Sequence, residues 1–206
     1  MNKDFITIND ILDVEKHIDG LEAVIFDIDD TLYSEKEYVR SGYKKIAEAF
    51  GMPEMEEELW QGFLEKQPAI DVVLSHHGLE DRKEKALHIY RSQTPDIHLY
   101  PGAAEMLKRI GRTHKVAIIT DGRPEGQREK IETLGLASIP FIITDELGGA
   151  DYRKPNPRAF HLMLEKLDTQ PQNAAYVGDN INKDFKAPEE LGMTSIYFKN
   201  TDGLYT

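Results

Sequence analysis

The residues that decide the fold are AVIFDIDDTL, positions 23–32 of the chain. Four apolar residues lead directly into a segment with three aspartates and a threonine. So short an apolar run, bounded at once by polar residues, predicts a buried strand of a parallel sheet. Side chains at i and i+2 of an extended chain share a face, so we expect Asp27 and Asp29 to point the same way just beyond the strand. Two such carboxylates need a cation or a shared proton; the alternative interpretation is an acidic turn that merely ends the strand.

The composition limits the classes of partner. The 206 residues are 40% hydrophobic, which suits one domain with an insertion or two small domains. The net charge of −12 argues against nucleic acid or an anionic membrane as the main partner, although a bound divalent metal would still permit a small anionic substrate. The absence of cysteine excludes disulfides, thiolate catalysis and cysteine-bound zinc. Residues 1–10 hold no long apolar run, so we expect no signal peptide, no membrane span and a cytoplasmic protein.

The segment before the strand, residues 1–20, predicts a short helix. Ile8 and Ile11 are the first of several apolar residues with approximately helical spacing. Thr7 or Asn9 is expected to cap this helix at its amino end. We expect the helix to pack on the edge of the domain, without a role in the chemistry.

The segment after the strand, residues 34–96, has a different composition. It is rich in Glu, Lys, Ala and Leu and has almost no runs of β-branched residues. Gly and Pro residues divide it into four predicted helices, at 35–50, 54–66, 69–77 and 80–93. We interpret this segment as a compact helical insertion.

From residue 97 onward, helix and strand patterns alternate. Helices are predicted at 101–112, 124–134, 157–167 and 185–191. Strands are predicted at 115–119, 140–143, 174–177 and 194–198, in addition to the first at 21–26. This alternation implies right-handed crossovers and a parallel sheet covered on both faces. The predicted fold class is therefore α/β, with a Rossmann-like parallel-sheet core at 1–33 and 97–206 and an inserted helical domain at 34–96.

Polar residues that a buried scaffold does not need stand at four junctions of the predicted elements. They are Asp27, Asp29 and Thr31, then Thr120-Asp121-Gly122, then Lys154-Pro155, and finally Gly178-Asp179-Asn180 with Asp184. Three of these groups follow strands that would all run in the same direction. Because the carboxyl ends of parallel strands meet at one edge of the sheet, these groups are expected to lie together there.

This order of motifs resembles the haloacid dehalogenase-like (HAD) superfamily of phosphohydrolases. Residues 27–31 resemble its first motif, Asp-x-Asp-x-Thr, and the apolar run ending at Thr120 resembles the second. Residues 153–157 resemble the third motif, and Gly178-Asp179 with Asp184 resembles the fourth. The resemblance covers residues 21–198 and places the insertion where that family has its helical (C1-type) cap domain.

The resemblance assigns different roles to the first two aspartates. A phosphate monoester needs an in-line nucleophile, an acid for the leaving alcohol and cations for its equatorial oxygens. Asp27 is the implied nucleophile, which would form an aspartyl-phosphate. Asp29 would protonate the leaving oxygen and then deprotonate the attacking water, a contribution of ~10²–10⁴-fold. Thr31 is expected to bond to the backbone of the turn rather than to substrate.

Magnesium is the implied cofactor, since it prefers oxygen ligands in a near-octahedral arrangement. The implied ligands are Asp27, the backbone carbonyl of Asp29, and Asp179. Asp184 is expected nearby, either as a helix cap or as a partner that holds Lys154 in place.

Thr120 and Lys154 are the implied contacts of the phosphoryl group, one through a hydroxyl donor and the other through a positive charge. Both are therefore counted among the catalytic as well as the substrate-binding residues. The predicted substrate-binding set also includes Asp121, Gly122 and Arg123, where the family commonly has Asn-Gly after the threonine. Arg123 is expected either to neutralise Asp121 or to turn toward the substrate.

These observations predict a magnesium-dependent phosphatase that acts on a small phosphorylated metabolite, either a sugar phosphate or a nucleotide monophosphate. A sugar phosphomutase would use the same two aspartates, but Asp30 stands where such relatives usually have glycine. A non-catalytic binding module on the same fold is a third hypothesis, although it would not need the whole set of motifs. The identity of the substrate and the oligomeric state stay open at this point.

Overall fold

The computed structural model describes residues 5–204, and within them six parallel strands form one sheet. The strands are β1 (Ile6–Ile8), β2 (Ala23–Phe26), β3 (Lys115–Thr120), β4 (Phe141–Ile143), β5 (Ala174–Gly178) and β6 (Thr194–Phe198). Their order across the sheet is β1-β6-β5-β2-β3-β4, and every neighbouring pair is parallel. This topology confirms the predicted α/β class. Residues 1–4 and 205–206, at the two ends of the predicted core, lie outside the described residues.

β2 lies at the centre of the sheet and is completely buried. Val24 and Phe26 pack into an apolar cluster on one face of the sheet, whereas Ala23 and Ile25 pack into a second cluster on the other face. This division follows from the two-residue period of an extended chain. Because both faces are covered, the strand reads as an unbroken apolar run rather than an alternating one.

The carboxyl ends of the three central strands lie at the same edge of the sheet. Phe26 at the end of β2 pairs with Val177 of β5 and with Ile118 of β3. The backbone N–H of Asp27 donates to the carbonyl of Val177 at 2.9 Å, one residue beyond the end of β2. Polar residues that follow these strands are therefore brought together.

After β2 the chain forms four helices that share an apolar cluster of their own. They are α1 (Glu35–Phe50), α2 (Glu54–Leu64), α3 (Ala69–His76) and α4 (Lys83–Arg91), the last preceded by a 3₁₀ turn at Glu80–Arg82. Ile46, Leu59 and Leu74 are among the fully buried residues of this cluster. α1 ends at Gly51, whose φ of 68° suits the left-handed cap position that glycine adopts without strain. The domain boundaries at 33/34 and 96/97 stay a prediction.

Four further helices cover the sheet. They are α5 (Ala103–Ile110), α6 (Pro124–Thr133), α7 (Arg158–Lys166) and α8 (Lys186–Leu191). Apolar residues of α5 and α6 belong to the cluster on one face, and those of α7 and α8 belong to the cluster on the other. The predicted three-layer arrangement is thus observed, and the ends of these four helices lie within two residues of the sequence-based bounds.

The segment that precedes β2 differs from its prediction. Ile6–Ile8 form β1, an edge strand paired with β6, rather than part of a helix. The helix that follows is a 3₁₀ helix at Ile11–His17, and its cap is Asp10, whose carboxylate accepts the backbone N–H two residues on. The prediction that Thr7 or Asn9 caps the helix is wrong. Because Ile8 belongs to β1, the helix starts only at Ile11. A three-residue strand is too short to show an alternating pattern.

None of the helices formed by residues 5–204 is long and apolar enough to cross a membrane.

Candidate active site

Three carboxylates converge at the carboxyl edge of the sheet. Asp27 directly follows β2, Asp179 directly follows β5, and Asp184 lies in the loop before α8. One oxygen of each lies within 4.8 Å of the others, and all three residues are buried. Gly178 allows this approach, because a Cβ at that position would lie 2.5 Å from Oδ2 of Asp184. That same oxygen accepts the backbone N–H of Asn180 at 2.9 Å, which fixes its position.

Lys154 lies beside this group with its side chain completely buried. Its Nζ is 2.9 Å from Oδ1 of Asp27 and 2.9 Å from Oδ1 of Asp184, and it donates to the hydroxyl of Tyr176 at 2.8 Å. One of the two expectations for Asp184, that it holds Lys154 in place, is therefore met. We call Asp27, Lys154, Asp179 and Asp184 the Asp27 cluster.

The Asp27 cluster carries more negative than positive charge. Burial by itself would lower the pKa of Lys154, but Asp184 and Asp27 outweigh burial and raise this pKa well above its ordinary value. Burial raises the pKa of Asp27 to about 6, against the opposing effect of Lys154. Burial and the neighbouring Asp27 raise the pKa of Asp179 to about 8. Buried carboxylates with all-oxygen donors and too few cations fit a hard divalent ion such as Mg²⁺.

The carboxylate of Asp29 is not among the three whose oxygens gather within 4.8 Å, and it has hydrogen-bond partners of its own. Its Oδ1 accepts the hydroxyl of Tyr33 at 2.5 Å and the ammonium of Lys130 at 2.6 Å. Its Oδ2 accepts the side-chain amide of Gln127 at 2.8 Å. Because β2 ends before Asp27, the two-residue alternation of a strand does not by itself set the direction of these side chains, and the expectation that Asp27 and Asp29 point the same way stays a prediction. We call Asp29, Tyr33, Gln127 and Lys130 the Asp29 cluster.

The electrostatics of Asp29 are the reverse of those of Asp27. Burial alone would raise the pKa of Asp29, but the charge and hydrogen bond of Lys130 and the hydrogen bonds of Tyr33 and Gln127 lower it below its ordinary value. The same attraction, working against burial, raises the pKa of Lys130. Asp29 and Lys130 are therefore a buried ion pair.

Thr120 is the last residue of β3 and is completely buried. Its hydroxyl has no hydrogen-bond partner in the part of the chain that the structure describes. A buried hydroxyl without a partner is uncommon in proteins, so it marks a place where a ligand group can bind. This property suits the predicted contact with a phosphoryl oxygen.

Asp121 is neutralised by a lysine that the sequence analysis did not consider. Its Oδ2 lies 3.2 Å from Nζ of Lys183, and its Oδ1 accepts the hydroxyl of Thr144 at 2.9 Å and the backbone N–H of Lys154 at 3.0 Å. Burial would raise the pKa of Asp121, but Lys154 and Lys183 lower it. The suggestion that Arg123 neutralises Asp121 is therefore wrong, and Arg123 lies exposed on the wall of the adjoining cavity instead.

The turn after Asp29 places two further motif residues. Asp30 has a φ of 53°, and its carboxylate accepts the backbone N–H groups of Glu35 at 2.8 Å and Leu204 at 2.7 Å. Its role as a turn residue is thus observed. Thr31 is buried, but its hydroxyl has no hydrogen-bond partner among residues 5–204, so the expected bond to the turn backbone was wrong.

A cavity of about 1270 Å³ connects this edge of the sheet to the helical insertion. Its sheet side includes Asp29, Lys154 and Asp179 together with the loop at 121–123. Its other side is formed by the residues at 67–71, before and in α3, and by α4. Gly122 has a φ of 138°, and a Cβ there would lie 2.8 Å from Nε2 of Gln127, so glycine is required for this loop to pass α6.

Sequence reasoning missed Lys130, Gln127 and Lys183. The first two lie three residues apart on one face of α6 and are buried, although an amphipathic pattern assigns Lys and Gln to solvent. Of these three residues, only Lys183 could have been identified from the sequence, because it directly precedes Asp184 within the fourth motif.

Comparison with known proteins agrees with this geometry. A model of the haloacid dehalogenase-like hydrolase family matches residues 24–198. The glyceraldehyde 3-phosphate phosphatase of Methanopyrus kandleri is 29% identical in an alignment of 196 positions that covers 85% of this chain and 83% of that protein. The phosphoserine phosphatase of Thermus thermophilus is 28% identical over 141 residues, 67% of this chain and 55% of that protein. A crystal structure of a HAD-superfamily hydrolase of subfamily IA, variant 1, from Geobacter sulfurreducens superposes with a TM-score of 0.66 at 21% identity, covering 88% of this chain and 89% of that one.

The fold and the site thus define a hydrolase with a Rossmann-like parallel-sheet core. More particularly, the chain belongs to the haloacid dehalogenase-like hydrolase family, because the family model spans most of its length. The predictions of family and of fold class are confirmed.

Proposed function

We propose that this chain is a magnesium-dependent phosphatase that hydrolyses a small phosphorylated metabolite through an aspartyl-phosphate. The proposal is carried by the Asp27 cluster, in which a buried carboxylate at the strand end is paired with a buried ammonium. The partnerless hydroxyl of Thr120 and the names of the phosphatase relatives support the same reading.

Asp27 is the proposed nucleophile. Because the ion pair with Lys130 keeps Asp29 ionised, Asp29 first takes up a proton from solvent. The carboxylate oxygen of Asp27 then attacks phosphorus, the bond from phosphorus to the ester oxygen breaks, and the leaving oxygen takes that proton from Asp29. Water attacks the aspartyl-phosphate and gives a proton to Asp29, and the bond from phosphorus to Asp27 breaks, which frees Asp27 and releases phosphate. Lys154 supplies positive charge to the transferring group, and the hydroxyl of Thr120 donates a hydrogen bond to it.

The proposed magnesium ligands are Asp27, the backbone carbonyl of Asp29, and Asp179, and the geometry adds Asp184 to the surrounding negative charge. When bound, magnesium would offset the charge on the phosphoryl oxygens and on the nucleophile. The excess of carboxylates over ammonium groups in the Asp27 cluster supports this proposal.

Residues 34–96 are proposed to act as a cap over the reaction site. The support is that α4 and the start of α3 form one wall of the cavity, while the strand ends form the other. Closing such a site excludes water and strengthens its electrostatics. The substrate-binding loop would be Asp121, Gly122 and Arg123, in which Arg123 faces the cavity. A sugar phosphate or a nucleotide monophosphate is the proposed class of substrate, and a cytoplasmic location stays a prediction.

The test is release of inorganic phosphate from p-nitrophenyl phosphate, with magnesium and with excess chelator, and then from a panel of phosphorylated metabolites. The panel contains sugar phosphates, nucleotide monophosphates, glyceraldehyde 3-phosphate and phosphoserine. We expect turnover that requires magnesium and that Asp27→Asn abolishes. No turnover above this variant on any substrate would contradict the phosphatase proposal, and isomerisation of a sugar phosphate without phosphate release would favour the mutase.

A further inference from the structure

Lys130 is a buried cation in the last turn of α6 that the proposed chemistry has not used. Its side chain is 7% exposed, and its Nζ lies 2.6 Å from Oδ1 of Asp29. The two residues are 101 positions apart in the chain. Burial of a lysine is costly unless it is paired, so the contact with Asp29 accounts for its place in the interior.

Lys130 also contacts the helical insertion. Its ammonium lies 4.3 Å from the ring centre of Tyr38 in α1, and 5.9 Å from that of Tyr33. A cation over an aromatic face at these distances is attracted to the ring. Lys130 therefore joins three segments at one point, namely α6, the loop after β2 and the first helix of the insertion.

The donors around Asp29 are unequally divided between its two oxygens. Oδ1 accepts both Lys130 and Tyr33, which uses its two lone pairs. Oδ2 accepts Gln127 alone and keeps a lone pair for a proton. This arrangement fixes the orientation of the carboxyl group and designates Oδ2 as the oxygen that exchanges the proton.

We propose that Lys130 is a positioning residue for the acid–base steps, which holds Oδ1 of Asp29 so that Oδ2 exchanges the proton with the leaving oxygen and with water. The proposal rests on the proposed phosphatase function. Lys130 itself neither gives nor takes a proton in these steps. The alternative is that Lys130 binds the phosphoryl group directly. Substrates whose leaving groups differ in basicity distinguish the positioning role from direct binding.

The experiment compares two probes of similar shape, p-nitrophenyl phosphate and phenyl phosphate. Nitrophenolate leaves readily without a proton, whereas phenolate is more basic and depends more on an acid. For Lys130→Met we expect kcat/KM on phenyl phosphate to fall about 30-fold and kcat/KM on p-nitrophenyl phosphate to fall less than about 3-fold, because kcat/KM covers only the steps up to departure of the leaving group and not the hydrolysis that both probes share. Lys45→Met, a matched change on the exposed side of α1, should leave both rates unchanged.

A double variant tests whether Lys130 acts through Asp29. Once Asp29→Asn has removed the acid, adding Lys130→Met should cause no further loss on phenyl phosphate. If Lys130→Met does not fold, as judged by circular dichroism, Lys130→Gln replaces it, and a loss of about 5-fold confined to phenyl phosphate is expected because a neutral donor replaces the ammonium at Oδ1 of Asp29.

Equal losses on both probes, or additive losses in the double variant, would overturn the proposal. An equal rise in KM for both probes without any change in kcat would also overturn it, since it would assign Lys130 to binding. Failure of the wild-type protein to hydrolyse either probe would instead contradict the phosphatase function itself. The two failures are therefore distinguishable.

Discussion

Asp27 and Asp29 are two residues apart in one loop, yet they lie in opposite electrostatic environments. In the Asp27 cluster the carboxylates outnumber the single lysine, and the pKa values of Asp27 and Asp179 are raised. In the Asp29 cluster one carboxylate accepts three donors, and its pKa is lowered. The first cluster needs a further cation, whereas the second is already neutral.

This difference shows how one loop can supply carboxylates for two tasks. A group with excess negative charge suits a metal ion, because the ion brings compensating positive charge and can then also attract an anionic phosphoryl group. A group whose oxygens are held by fixed donors suits defined proton transfer, because its orientation is set before the reaction. The division depends on partners from distant parts of the chain rather than on the Asp-x-Asp spacing.

The largest expected effect comes from removing the nucleophile in the Asp27 cluster. Asp27→Asn should lower kcat on p-nitrophenyl phosphate at least about 10³-fold, because no carboxylate remains to attack phosphorus. Its free energy of unfolding, measured in urea without magnesium, should not fall sharply, since one of the mutually repelling charges is gone. The control is Asp81→Asn, whose side chain is 76% exposed and which should keep full activity. Activity of Asp27→Asn within 10-fold of wild type would show that another residue is the nucleophile.

A second comparison removes the lysine from each cluster. Lys154→Met leaves Asp27 and Asp184 buried without their ammonium, so the free energy of unfolding should fall by about 3–5 kcal/mol. Lys130→Met leaves Asp29 with the donors Tyr33 and Gln127, and a smaller loss of about 1–3 kcal/mol is expected. Urea unfolding in metal-free buffer measures both. A larger loss for Lys130→Met would mean that the Asp29 cluster, not the Asp27 cluster, depends more on its cation.

Magnesium should stabilise one cluster and not the other. At 100 times its dissociation constant, magnesium should raise the free energy of unfolding of the wild-type protein by about 2.7 kcal/mol. Asp179→Asn should lose most of this gain, whereas Lys130→Met should keep it, because Lys130 lies in the other cluster. Thermal unfolding during a magnesium titration measures the shift, and calcium serves as a second ion of equal charge. An unchanged shift in Asp179→Asn would remove this residue from the metal site.

The smallest expected effect concerns two threonines beside the clusters. Thr120→Val should lower kcat/KM about 10-fold with little change in stability, because its hydroxyl has no partner among the described residues and is reserved for the phosphoryl group. Thr144→Val should instead lower the free energy of unfolding by about 1 kcal/mol, because that hydroxyl donates to Asp121. Steady-state kinetics and urea unfolding of both variants provide the comparison. Loss of stability in Thr120→Val without loss of activity would assign its hydroxyl a purely structural role.

Much of the Asp27 cluster could be anticipated from the sequence. Asp27 and Asp179 each follow an apolar run, and parallel strands bring their carboxyl ends to one edge. The role of Lys154 was predicted from the resemblance of its motif to that of a known family. Its ion pair with Asp184 was one of two expectations for that residue, and the structure shows it.

The Asp29 cluster could not be anticipated in the same way. The pattern of α6 predicted a helix, and that helix is observed, but polar residues on a helix are normally assigned to solvent. Lys130 and Gln127 are buried because this helix packs where the loop after β2 presents a carboxylate. The same limit explains why Arg123 was suggested as the partner of Asp121, since Lys183 is distant in sequence and near only in space.

The sequence by itself determined the type of sheet, the order of the motifs and the edge at which they meet. These properties follow from local apolar patterns and from the geometry of parallel strands, which operate over a few residues at a time. Only the tertiary structure decided which cation meets which carboxylate. Such pairings join positions as far apart as Asp29 and Lys130, and in a buried site they set the charge that each carboxylate carries.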